Sequence, residues 1–481
     1  MRLFFLLVSK VNKPLFTAFL LVGLVSTSVF SSPYSGSQLP DLIPKADERS
    51  LTNPSFVLGH HWFRKISSSP GLIDFPPAYD YLRLKLAELT PYSQLTNKMV
   101  DIALLNSRQT NAFVIPGNHL FIYSDILVLI DQEDSLMGLL AHELAHLELS
   151  HYERGQQQRA NEQRQALALM LAGIFAAANG SAEAGTSIAI GGAANQASNL
   201  LSYSRDHERE ADRRGRELLR MAGKAPSGMT RLLLGLSAQS QANPDLEFLY
   251  THPLPLSRAA DQLTPEDNRI TSQPSFAANS DASFRYFRAT LLAYRAALVD
   301  NPEPYLKSQV TSPDSQHFAL ALLALLLDQI EKSQQHLDQI TSENEFTSYL
   351  QLQVWLQSQQ ELRAKTWLTR QLQIAPNNLT MTTLLHLIQP GLPYIAATTE
   401  AYRYQIEQRL RGNLVAARNN NDEAMLYTIK AEQAYWNGNT ELALRYLQDA
   451  LNVDSSHYRS LELRSQYEKM KGLEIDQALF N

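Results

Sequence analysis

Apolar residues recur at helical spacing through most of this chain, and the departures from that spacing divide it into parts. From Ala78 to Leu105 the pattern predicts a largely helical stretch interrupted at Pro91. Asn111 to Ile122 alternates instead, which predicts two short strands around a Pro116-Gly117 turn. Helices are expected again over Ser124–Gln132 and Ser135–Arg154. Residues 164–200 are rich in Ala and Gly, with apolar positions at Leu167, Leu169, Met170, Leu171, Ile174, Phe175, Ile188 and Ile190. Neither apolar half of that segment reaches the ~20 residues a membrane span needs. A helix, a Gly-containing turn and a mobile flap are expected there. A helical hairpin packed on the core and a membrane-contacting tip are the alternatives.

From Phe284 to Asn481 the chain is helical and rich in Gln and Leu. Tyr427–Ser455 resembles a tetratricopeptide repeat. Ala431, Ala443, Leu447 and Ala450 fall at its packing positions, and Gly438-Asn439 falls at the turn between helices. A second unit surrounds Leu352, Ala364, Leu368 and Pro376, residues 315–341 resemble a degenerate pair, and Pro390 to Pro393 interrupts the series. Stacked helix pairs make a concave surface suited to binding peptides or partners.

Charge and composition narrow the setting. At 481 residues the chain is long enough for two or three domains. A formal net charge of −6 gives no support to nucleic-acid binding. Arg2, Lys10 and Lys13 precede an apolar run from Pro14 to Phe30, and small residues follow from Ser26 to Ser31. This predicts a signal peptide over residues 1–31, with an uncleaved anchor as the alternative. There is no cysteine, so neither disulfides nor a lipid-modified cysteine contribute. Residues 32–53 are rich in Pro and Ser and are expected to be extended.

The segment that most constrains the chemistry is His142-Glu143-Leu144-Ala145-His146. Residues four apart share a helical face, so both imidazoles can reach one metal ion. Glu143, one position round, can reach a water held at that metal and act as its base. A catalytic zinc needs a third protein ligand. The arrangement with a Gly and a third His downstream is absent, because Leu149 and Tyr152 occupy those positions. Glu208 and Asp212, four apart in a charged helical segment, offer a carboxylate ligand and a group to orient a ligand imidazole. Read alone, that segment would be an ordinary solvated helix, since Arg205, Arg209, Arg213 and Arg214 can pair with its acids.

Four segments together, Asn111–Gly117, His142–His146, Glu208–Asp212 and Thr251-His252-Pro253, resemble the gluzincin metallopeptidases of the CAAX-protease type. The likeness extends to their soluble periplasmic branch with tetratricopeptide repeats and covers roughly residues 40–265. It implies one Zn2+ held by His142, His146 and Glu208, with Glu143 as base and Asp212 behind the ligands. His252 and Arg258 would donate to the oxyanion, or His252 would close the zinc as a fourth ligand. Asn111, Ala112, Phe113 and Val114 would pair with substrate backbone. Asn118 stands where a second Gly is usual, and Tyr123-Ser124-Asp125 also departs from the pattern. His60, His61, His119, His151 and His207 are expected to be surface or packing residues.

The expected architecture is α+β: a mainly helical peptidase domain with a small sheet over residues 32–274, then all-α repeats over 284–481. The resemblance implies a periplasmic endopeptidase in quality control and assembly of outer-membrane proteins, with chaperone activity as a further expectation. Its substrates would be misfolded or stalled outer-membrane proteins, and the repeats would dock the β-barrel assembly machinery. Peripheral membrane contact stays open. A chaperone or adaptor with a structural zinc is the alternative, and a small-peptide exopeptidase a third.

Overall fold

Residues 102–105, 112–115 and 120–123 are apolar on both alternating sets of side chains, and that is what a sheet buried between two layers requires. The computed structural model describes residues 49–152, 171–174, 205–242, 252, 258, 281–374, 381, 384–385 and 403–479. Strands β1 (Asp101–Leu105), β2 (Ala112–Ile115) and β3 (His119–Tyr123) form a sheet of order β1-β3-β2. β1 pairs parallel to β3, with Asp101 opposite His119, and β2 pairs antiparallel to β3. Ile102, Leu104, Val114, Leu120 and Ile122 face the main core, while Ala103, Leu105, Phe113, Phe121 and Tyr123 face a second cluster with Phe63 and Ile66. The helix expected over 78–105 therefore ends early. It runs as α2 (Pro76–Leu89), passes a 3-10 turn at Thr90–Tyr92, and gives way to β1. With both faces of β1 apolar, no alternation marked it as a strand.

The two strands expected around Pro116-Gly117 are β2 and β3. Gly117 has φ 92° and Asn118 φ 60°, so Asn takes the left-handed position without a second Gly. The helix expected over Ser124–Gln132 shortens to α3 (Ile126–Leu129). The helix expected from Ser135 is α4 (Glu133–Glu148). It starts with Glu133 and Asp134 at its positive end and stops before Ser150, whose φ is 49°. α4 is buried nearly all round, between β2 on one side and helices α5 (Arg205–Met221) and α6 (Ser227–Ala242) on the others. Gly138 and Gly215 allow this. A Cβ on Gly138 would lie 2.6 Å from the Met229 backbone nitrogen, and one on Gly215 would lie 3.1 Å from the Ala141 carbonyl oxygen.

Residues from Lys45 onward form one compact unit. A preceding helix, α1 (Pro54–Ser67), covers the outer face of the sheet. The C-terminal half contributes α7 (Ala282–Ala296), α8 (Pro302–Gln309), α9 (Pro313–Leu326), α10 (Ile330–Leu337), α11 (Glu345–Gln357) and α12 (Glu361–Ile374). Then follow α13 (Arg403–Asn419), α14 (Glu423–Trp436), α15 (Thr440–Val453) and α16 (Tyr458–Leu479). Ala431, Ala443, Leu447 and Ala450 are all fully buried where α14 meets α15, and Leu352, Ala364 and Leu368 are buried likewise. Gly438 makes the turn at φ 74°, and Asn439 caps α15 by accepting from the Leu442 N–H. Pro376 and Pro390–Pro393 lie outside the described residues, as do residues 1–48.

The main core does not stop between the halves. Phe75 stacks edge-on against Tyr349 at 4.9 Å, and Tyr81 stacks on Phe287 at 4.8 Å. At the other end, Phe56 and Val57 of α1 join a cluster with Ala431, Tyr435, Leu447 and Tyr467. The buried Arg64 donates to the Tyr435 carbonyl and lies 3.8 Å over its ring. Among the described residues, no helix is long and apolar enough to cross a membrane. The flap expected over 164–200 lies outside the described residues, except for Leu171–Ile174, whose Leu171 and Ile174 pack on the outer sheet cluster.

Candidate metal centre

His142, Glu143 and His146 sit on the inner side of α4, each at most 3% exposed. α5 is strongly amphipathic. It turns Arg205, Asp206, Arg209 and Arg213 to solvent and Glu208, Ala211, Asp212 and Gly215 toward α4. The solvated-helix reading thus holds for one face only. His142, His146, Glu208 and His252 converge, with one ligand atom from each within 4.8 Å of the others.

The separations can be tested against a metal. Tetrahedral zinc with ordinary bond lengths holds its ligand atoms about 3.4 Å apart. His142 Nε2 and His146 Nε2 are 3.0 Å apart, and they lie 3.6 and 3.3 Å from the Glu208 carboxylate oxygens. His252 Nδ1 lies 3.4 Å from His142 Nε2 and 3.1 Å from Glu208 Oε1, at the fourth corner.

Charge and hydrogen bonding outside the cluster set which ring nitrogen faces in as a lone pair. Asp212 Oδ1 faces His142 Nδ1 at 3.0 Å, and its negative charge favours the proton on that nitrogen. The Ala112 carbonyl, 3.2 Å from His252 Nε2, accepts that N–H. His146 Nδ1 is 2.8 Å from His151 Nδ1, and His151 Nε2 is 3.2 Å from Glu210. Glu210 accepts from His151 Nε2–H, so His151 Nδ1 is left to accept from His146 Nδ1–H. All three cluster-facing nitrogens are then acceptors, gathered around a carboxylate. Such a set is stable around a cation.

His151 is a buried packing residue, as one of its two expected roles had it, and it also meets His146. It is 1% exposed and buttresses a proposed ligand, while its ring stacks on His207 at 4.5 Å. Sequence spacing could not show this. Five residues along a regular helix lie about 140° round from the start, and only the left-handed Ser150 brings His151 back under His146.

Arg258 donates to both oxygens of Asp212, at 2.8 and 2.7 Å, and pairs with Glu208. Its guanidinium is thus committed to Asp212, behind His142, and to Glu208 of the cluster itself. Burial alone would raise the Asp212 pKa, but the Arg258 hydrogen bonds outweigh it and hold it near about 2. Burial pushes Glu143 above the usual carboxylate range, opposed by His252 and His142. Neither Glu143 oxygen has a hydrogen bond, and its Oε1 is 3.5 Å from His252 Nε2. Burial lowers the His252 pKa, but Glu208 and Glu143 outweigh it and raise it.

Of the four residues expected to pair with substrate, Ala112, Phe113 and Val114 lie on β2 and Asn111 immediately precedes it. β2 is the outer strand of the sheet, on the side that packs against α4. Its residues are buried, and the Ala112 carbonyl is taken by His252.

Residues 79–265 match the model of peptidase family M48. They include every residue of the cluster described above and of its surroundings. A β-barrel assembly-enhancing protease of Escherichia coli is 24% identical over 309 residues, 63% of this chain and 62% of that protein. Its counterpart in Yersinia pestis is 27% identical over 254 residues, about half of each chain. The mitochondrial metalloendopeptidase OMA1 of Schizosaccharomyces pombe is 29% identical over 87 residues, 18% of this chain and 26% of that one. The chain thus matches less than two thirds of the length of these relatives.

Proposed function

We propose that this chain, built around a metallopeptidase domain of the M48 type, is a zinc-dependent endopeptidase that cuts unfolded or stalled outer-membrane proteins. The observation that carries the reading is the donor set itself. Two imidazoles of α4 and a carboxylate of α5 converge with their lone pairs inward, beside the Glu143 carboxylate that no hydrogen bond occupies. Zinc, when bound, polarises the scissile carbonyl and lowers the pKa of a water at its open position. His142, His146 and Glu208 would hold the metal. Asp212, with Arg258 clamped across it, keeps His142 in the ligating tautomer, and His151 does the same for His146. Glu143 takes the proton of the attacking water and passes it to the leaving amine, a task its raised pKa suits. β2 lies beside the cluster as an edge strand, where an extended peptide can add by backbone hydrogen bonds once His252 releases the Ala112 carbonyl.

The setting rests on the resemblance. The names of the bacterial relatives point to β-barrel assembly, and residues 1–31 to export into the periplasm. The C-terminal helix pairs, read as tetratricopeptide repeats, would recruit the assembly machinery or its clients. A second reading has a specific observation behind it: with His252 Nδ1 at the fourth corner the set is closed, as in structural zinc sites. On that reading the protein is a chaperone or adaptor. Digestion of an unfolded outer-membrane β-barrel protein by the purified chain, with and without chelator, decides between them. Chelator-sensitive internal cleavage is expected. Binding of the unfolded protein without cleavage, at full zinc content and also in His252→Ala, would establish the second reading.

A further inference from the structure

A second group of buried polar atoms lies on the far side of the sheet. His60 is on α1, Asp101 opens β1, and His119 opens β3. Asp101 and His119 are direct partners across the parallel pair. The three residues are 7%, 3% and 0% exposed, and one ligand atom from each lies within 4.8 Å of the others. Each also carries an atom with no hydrogen bond: His60 Nδ1, Asp101 Oδ1 and His119 Nε2. Buried polar atoms are nearly always satisfied, and three neighbouring residues that each carry an unsatisfied atom have capacity for a shared partner.

The surroundings are apolar above and below. Phe63 stacks on His119 at 4.6 Å, Phe56 stacks on His60 at 5.3 Å, and Trp436 meets His60 edge-on at 5.5 Å. The two imidazole rings are 5.6 Å apart, close to the 5.2 Å between His142 and His252 in the candidate metal centre. Two cations stand nearby and are already engaged. Arg49 meets Asp101 Oδ2 at 2.8 Å, the oxygen that also faces His119 Nδ1 at 2.9 Å. Arg64 is turned to the Tyr435 carbonyl and ring. Asp101 Oδ1 is left for a further partner.

We propose that His60, Asp101 and His119 form a second metal site, structural in character, for a divalent ion that accepts mixed imidazole and carboxylate ligation, with Zn2+ the best match. Two imidazoles and one carboxylate suit zinc better than calcium or magnesium, which take oxygen donors. The ion would tie α1 to the leading ends of β1 and β3. It would thereby brace the β2–β3 hairpin, whose other face carries Ala112 toward the first cluster. The site is independent of the peptidase reading, since it uses none of that cluster's residues.

The test counts metal in the full chain. The protein is stripped with chelator, reloaded with zinc, desalted and measured by plasma mass spectrometry. Two zinc ions per chain are expected, falling to one in folded His60→Gln and Asp101→Asn. One ion in the unaltered chain overturns the proposal, as do two in both variants. A second measurement needs no variant: anomalous diffraction at the zinc edge from crystals of the reloaded chain. A peak among the three side chains is expected, and its absence would falsify the site.

Discussion

At the scale of single residues, the groups proposed to hold a metal are distinct from the group proposed to act beside it. Glu143 touches no metal-facing nitrogen closely and keeps both oxygens free of hydrogen bonds. Glu143→Gln preserves shape while removing proton acceptance. Zinc content should stay at the unaltered level while peptide cleavage drops by about 10²-fold or more. Full cleavage by a metal-replete variant would sink the mechanism. His252 is bound at both ends, to Ala112 and to Glu208, and it fills the corner an attacking water needs. His252→Ala should therefore raise basal cleavage of a model peptide. A fall of about 10²-fold would instead assign it to oxyanion stabilisation. His151 acts through His146. His151→Phe keeps the stacking on His207 but loses the acceptor, and chelator competition should show zinc held about 10- to 100-fold more weakly. His151→Gln, which retains an acceptor, should restore most of that loss. Equal chelator resistance in all three proteins would reduce His151 to a packing residue.

At the scale of elements, the site depends on how closely three helices approach. α4 carries the two imidazoles and α5 the carboxylate, so a fraction of an ångström between them alters the cluster. Gly138 meets the Met229 backbone of α6, which has no side-chain freedom with which to yield. Gly138→Ala should destabilise the fold by about 1–3 kcal/mol, the usual scale of overpacking, and weaken zinc retention as α4 shifts. Thermal unfolding together with the metal count checks this; an unchanged melting temperature would show that α4 and α6 slide freely. The same scale explains what was misread. Residues 102–105 are apolar on both faces because they lie between α1 and the main core, and a short run of that kind looks the same in a helix and in a strand. The Asn111–Ile122 hairpin was legible because its turn residues have one physical use.

At the scale of the whole molecule, the C-terminal helices are more than an appendage. Phe75, buried at 1% exposure before the sheet begins, packs against Phe318, Phe346 and Tyr349 from α9 and α11. Phe75→Ala should cost about 3–5 kcal/mol. Both halves should still unfold in a single transition, with loss of zinc and loss of C-terminal helix coinciding. Two separate transitions would show that the halves are thermodynamically independent. A chain ending near residue 280 should likewise expose Tyr81, the stacking partner of Phe287, and lose cooperative unfolding.

The sequence by itself determined the local elements of the candidate site: a helix bearing His142, Glu143 and His146, a second helix offering Glu208 and Asp212, and a hairpin at Pro116-Gly117. These follow from spacing along one element, and spacing survives without coordinates because helices and strands have fixed periods. Tertiary structure alone decided the rest. It placed His252 at the fourth corner and Arg258 on Asp212, folded His151 back through the left-handed Ser150, and gathered His60, Asp101 and His119 from three elements. Each of those arrangements depends on where separate segments meet. No local period encodes that; it is set by how the buried faces of α1, the sheet and α4 pack against one another.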